Sequence, residues 1–72
     1  MSSLANISGK KALAIFRKFG YTLDHQTGSH MILVHSTRPT LSIPNHKELA
    51  PSLLYGLIKK SGLTVEEFLS YK

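Results

Sequence analysis

At Gly20 the spacing of apolar residues changes, and that change limits what the chain can fold into. Before it, Ala12, Leu13, Phe16 and Phe19 recur at helical spacing, with Ile15 at the border of the stripe. After it, Tyr21, Leu23 and His25 alternate with Thr22 and Asp24, which is the period of a strand. The first helix is predicted to start after Ser8, whose hydroxyl can cap free backbone N–H groups, and to end at Gly20.

Thr27-Gly28 reads as a tight reversal. A hairpin closing there sets His25 opposite His30, Leu23 opposite Ile32 and Tyr21 opposite Val34. A second reversal between Ser36 and Pro39 then brings Leu41 opposite Val34 and Ile43 opposite Ile32. This register gathers Tyr21, Leu23, Ile32, Val34, Leu41 and Ile43 on one face. A slip of one residue would turn β-strand side chains to the other face, where Thr22, Asp24, Thr40, Ser42 and His35 sit with Met31 and Leu33. The unslipped register is the expectation.

Pro44 ends the third strand, because it has no N–H to give to the ladder. A second helix follows from Pro51, with Leu53, Leu54, Leu57 and Ile58 on one face and Gly62 at its end. Gly56 inside it suggests close packing. Thr64 and Glu67 have capping-box spacing, with Leu63 and Phe68 as a hydrophobic staple, so a short third helix is expected. The fold class is α+β: helix, three-stranded antiparallel sheet, helix and short C-terminal helix, with the helices on one sheet face.

Seventy-two residues make one domain, taken as 1–72, with a thin core. No cysteine is present, so no disulfide, thiol nucleophile or thiolate metal site can form. Neither a signal-peptide pattern nor an apolar run of the ~20 residues that cross a bilayer occurs, so a soluble, cytoplasmic protein without a membrane partner is expected. Nine Lys and Arg against four Asp and Glu leave a charge of +5, which favours phosphate-rich or acidic partners.

Four histidines carry the candidate chemistry. His30 is placed on the apolar side of its strand at the end nearest the turn, with one ring edge wet. It is either a half-buried residue satisfied locally or a group that takes and gives protons near neutral pH. His25, opposite it in the expected register, is a helper candidate or a solvated turn residue. His46 is either a polar loop residue or, with Asn45 and Lys47, part of a phosphate-sized space near His30. Lys10 and Lys11 sit in the first turn of a helix, where the macrodipole disfavours cations, so phosphate contact explains them better than local stability does. Arg17, Lys18 and Arg38 read as solvated charges. His30 and His35 are five apart in one strand and point to opposite faces, and Asp24 faces away from His30. No ligand set for a metal emerges, and no cofactor is implied.

The segments SGKKALAIFRKFGYTLDHQTGSHMIL, LSIPNHKEL and LLYGLIKKSGLTVEEF, in this order and spacing, resemble the HicA (YcfA-like) toxins. The resemblance runs from about Ile7 to Phe68. It differs from the family's usual pattern at His25 and Thr27, where basic residues are common, and at Pro51-Ser52, where glycine is common. It implies a double-stranded-RNA-binding-like fold, with His30 of the Gly-Ser-His triplet as the catalytic histidine. Metal-independent cleavage of messenger RNA as a type II toxin would follow, with neutralisation by a HicB-type antitoxin. The free protein would be a monomer, and a hetero-oligomer with its antitoxin.

On that reading His30 takes the proton of a ribose 2′-hydroxyl, Lys47 or Lys10 and Lys11 hold the phosphate, and His25 or His46 protonates the leaving oxygen. Ser29 is a further candidate helper. Two rival classes remain: a binding module of the same fold that holds RNA without cutting it, and an interaction subunit whose charge serves only an acidic partner.

Overall fold

The computed structural model describes residues 3–72. Met1 and Ser2, the first residues of the expected domain, lie outside them. The elements are α1 (Gly9–Arg17), β1 (Thr22–Thr27), β2 (His30–Val34), β3 (Leu41–Pro44), α2 (Pro51–Ser61) and α3 (Val65–Leu69). The strands form an antiparallel sheet in the order β1-β2-β3. Both longer helices pack against β3, which leaves β1 exposed along its whole length at the edge.

Ser8 caps α1 by accepting from the Lys11 N–H at 3.0 Å. The helix ends at Arg17, short of the expected Gly20, and the chain turns through Lys18 and Phe19 to Gly20, which takes φ +99°. Ala12, Ile15 and Phe16 are its buried side chains, so Ile15 belongs to the centre of the stripe and Leu13 and Phe19 to its margins. Phe16 stands in the middle of the core, with ring centroids 5.6 Å from Tyr21 and 5.0 Å from Phe68. A fully buried phenylalanine contributes about 1.5–3 kcal/mol relative to exposure.

Helix α2 starts at Pro51 and ends on Gly62 at φ +88°. Leu54 and Ile58 are buried, whereas Leu53 is exposed. Gly56 faces open space, so it does not mark the close packing expected of it. Arg38 is not a free solvated charge: its guanidinium donates to the Ser61 carbonyl at 2.8 Å and occupies an acceptor at the end of α2. The capping box of Thr64 and Glu67 is complete.

The sheet departs from the expected register. Strand β3 pairs with β2 one residue away from it. Strand β1 pairs with β2 two residues away between the turn and His25, and one residue away beyond the bulge. Leu23 pairs with Leu33, Met31 with Ile43, and Leu33 with Leu41. Met31 and Leu33 are therefore buried under the helices, while Ile32 and Val34 lie half-buried on the opposite face. The cause is local. The two turn residues are Gly28 and Ser29, not Thr27 and Gly28, because the first turn position needs φ +57°, a left-handed value that glycine adopts freely and β-branched threonine does not. Tyr21 and Leu23 gave the other register its apparent advantage, yet neither depends on register. Tyr21 precedes β1 and is buried against Phe16, and its hydroxyl donates to the Pro39 carbonyl at 2.8 Å. Leu23 sits on the uncovered edge strand at 37% exposure. A bulge between Leu23 and His25 makes Asp24 the extra residue of β1.

Candidate functional site

The observed register moves His25 and His30 from their expected places. His30 pairs with Thr27 and Pro44, and His25 pairs with Ile32. His30 and His25 are thus diagonal neighbours on the sheet face away from the helices, not directly opposed, and His30 is exposed rather than on the apolar side. His25 is exposed too, and the bulge carries Asp24 round to it: Asp24 Oδ2 lies 2.7 Å from His25 Nδ1. With Nδ1 so engaged, Nε2 is the His25 nitrogen left for other partners.

His35 does not belong to this group. The expected solvent-facing residue is instead packed edge-on against Tyr21, with ring centroids 4.9 Å apart. Its Nδ1 accepts from the Thr37 N–H at 3.0 Å, and its Nε2 lies 2.8 Å from the Phe19 carbonyl. A carbonyl only accepts, so the neutral tautomer with the proton on Nε2 satisfies both contacts. His35 is a structural residue that joins the end of β2 to the turn after α1.

Two backbone bonds hold the exit from β3 against the rest of the site. The Asn45 N–H donates to the Ser29 carbonyl at 2.6 Å, which ties this loop to the turn that carries His30. The Gly9 N–H donates to the His46 carbonyl at 2.9 Å, which ties it to the start of α1. Between them lies a cleft of about 240 Å³ lined by Ser8, Lys10, Asn45, His46 and Lys47. Three of the expected site residues, Lys10, His46 and Lys47, therefore meet, and Ser29 borders them through its carbonyl. Lys11 does not join them, although it follows Lys10 directly; it is exposed and lines neither this cleft nor the larger groove.

That groove, about 640 Å³, runs between α1 and the uncovered β1. Arg17 and Lys18, read from sequence as solvated charges, line it with Lys10, Leu23, Gln26 and Asn45. Only knowledge that β1 is a bare edge would have revealed it. Among the described residues no three His, Asp or Glu side chains come together as metal ligands, and no helix is long and apolar enough to cross a membrane.

Residues 9–63 match the family model described as HicA toxin of bacterial toxin–antitoxin systems, a span that holds α1, the whole sheet and α2. The chain belongs to the HicA toxin family. No curated protein matches the sequence. The helix–three strands–helix order is the one the family resemblance implied, and the toxin role follows from membership. Within this HicA chain the matched span contains His25, Ser29, His30, Lys10, Lys11, His46 and Lys47.

Proposed function

We propose that this HicA toxin is an endoribonuclease that cleaves messenger RNA through the ribose 2′-hydroxyl, with His30 as the general base. The observation that carries the reading is the placement of His30. It is an exposed imidazole at the rim of the sheet, one residue from the Ser29–Asn45 bond that ties its turn to the loop carrying His46 and Lys47. The ring takes the 2′-hydroxyl proton, the 2′-oxygen attacks the adjacent phosphorus, and the bond to the 5′-oxygen of the next nucleotide breaks. The products are a 2′,3′-cyclic phosphate and a free 5′-hydroxyl.

His25 is the general acid. Diagonal neighbours on a sheet face lie about 7–8 Å apart, a span that accommodates a phosphate between two rings. Asp24 holds Nδ1 and fixes the orientation of the ring, so Nε2 is the nitrogen left to serve the leaving oxygen. Lys10 and Lys47, gathered in the cleft with Asn45 and His46, counter the charge that builds on the phosphorane. Lys11 adds to the general field. No metal takes part, and a HicB-type antitoxin silences the cytoplasmic enzyme by covering His30.

The test is a ribose edit. A substrate with a single 2′-deoxy sugar at the scissile position should resist cleavage, while EDTA should leave cleavage of the all-ribose substrate unchanged. His30→Ala should lower the rate by roughly 10²–10⁴, the range for a lost general base. Cutting of the deoxy substrate at that position would remove the mechanism, and binding without any cutting by the wild type would make the protein a binding module.

A further inference from the structure

The groove between α1 and β1 shares only Lys10 and Asn45 with the cleft used in the chemistry just described, and it is the larger of the two concavities. Its volume falls within the roughly 300–1,000 Å³ typical of small-ligand sites. Leu13, Leu23 and Met31 give it an aliphatic floor. Lys10, Arg17 and Lys18 stand along it, and no carboxylate lines it. Gln26 and Asn45 add two amides; the Gln26 Nε2 already donates to the Gly28 carbonyl at 3.1 Å, which leaves its oxygen as an acceptor.

Lys10 and Asn45 line both this groove and the cleft beside His46 and Lys47. The two concavities therefore adjoin, so a polyanion held at the cleft would have its next unit near the groove. We infer that the groove is a subsite for one unpaired nucleotide of the RNA, its base against the aliphatic floor and its phosphates on Lys10, Arg17 and Lys18. This rests on the reading of the protein as an RNA-cutting toxin and names the form of RNA it takes. In a duplex the faces of the bases are hidden by stacking, so an apolar slot favours single strands. The free Gln26 oxygen favours a base with an exocyclic amino group.

Binding, not cleavage, tests the inference. Oligoribonucleotides labelled with fluorescein are titrated into the His30→Ala protein, which leaves them intact, and anisotropy is followed across a salt series. A single abasic residue walked along the strand should weaken binding about tenfold at one position and little elsewhere. Ala14→Trp places a large side chain in the groove from an exposed position of α1 and should weaken single-strand binding to a similar extent without changing the salt slope. Gln26→Ala, a milder change at an exposed site, should lose any preference for amino-bearing bases. Arg17→Gln and Lys18→Gln should each reduce the salt slope by about 0.7.

Equal binding of every abasic strand, or Ala14→Trp binding like its parent with its circular dichroism unchanged, overturns the subsite. So does poly-L-glutamate that binds as tightly as RNA and competes with it, since the groove would then suit an acidic protein. Because the protein under test cannot cut, a wild type without nuclease activity would remove the catalytic reading and leave this measurement standing.

Discussion

Gly9 and His46 are joined by a 2.9 Å backbone hydrogen bond at a point where α1 and the loop after β3 leave no room for a side chain. A Cβ built on Gly9 runs into the Pro44 carbonyl oxygen and lies 3.1 Å from the Asn45 Cα. These neighbours are backbone atoms and cannot swing aside. Gly9→Ala should therefore push the loop outward and destabilise the fold by about 1–3 kcal/mol, the usual range for overpacking. Urea unfolding measures that loss. The same variant should bind RNA more weakly even where it remains folded, because Lys47 and His46 move with the loop.

His30 and His35 should respond to alanine in opposite ways. His30 is exposed at the rim, so His30→Ala should stay within about 0.5 kcal/mol of the parent in stability, as surface substitutions do. His35→Ala strips the Phe19 carbonyl and the Thr37 N–H of their partners and removes an edge contact from Tyr21. It should cost about 1–3 kcal/mol. Thermal unfolding paired with cleavage per folded molecule separates them: the first variant keeps its melting temperature and loses activity, and the second does the reverse.

The contrast between these two histidines also marks what the sequence could tell. The order of elements was legible because it rests on local signals: the period change at Gly20, Pro51 at a helix start, Gly62 at its end, and Thr64 with Glu67 at a cap. The sheet register was not, because it depended on which two residues make the turn and on whether β1 is covered. Counting apolar side chains gave weight to Leu23, which nothing covers, and to Tyr21, which is buried without the ladder. The change of register exchanged the faces, freed His30 and left His35 to be fixed by the turn after α1. The grouping of Asn45, His46 and Lys47 was legible as chain neighbours leaving β3, whereas the place of Lys10 beside them was not. Nor were the bonds that hold the cleft, since Gly9 to His46 and Asn45 to Ser29 are backbone bonds that leave no side-chain signature.

Asp24 and His25 offer a test of the general acid. Both are exposed, so their 2.7 Å contact adds little to stability, and Asp24→Asn should leave the unfolding midpoint unchanged. It should lower the cleavage rate about tenfold, less than the 10²–10⁴ lost with the acid itself in His25→Gln. The double variant should be no slower than His25→Gln alone, because Asp24 acts only through that ring. A substrate with a 5′-thio leaving group needs no proton, so both variants should cleave it at the parent rate. A loss of equal size on that substrate would assign the pair a structural role.

Tyr21 sets the behaviour at high pH. Burial pushes its hydroxyl above the ordinary 10.0, while the Arg38 guanidinium pulls in the other direction and only partly offsets it. Below pH 10 the phenol is protonated in both folded and unfolded chains, so it gives no pH dependence there. Above pH 10 the unfolded chain releases the proton first and binds fewer protons than the folded one, so stability falls as pH rises from the unfolded value toward the raised folded one. Tyr21→Phe keeps the ring against Phe16 and removes the hydroxyl that donates to Pro39. It should cost about 0.5–1.5 kcal/mol at pH 7 for the lost hydrogen bond. Its stability should decline less steeply between pH 10 and pH 11.5 than that of the parent. Denaturant midpoints across that interval give the two slopes, and parallel slopes would mean that the phenol ionises as freely in the folded protein as in the unfolded chain.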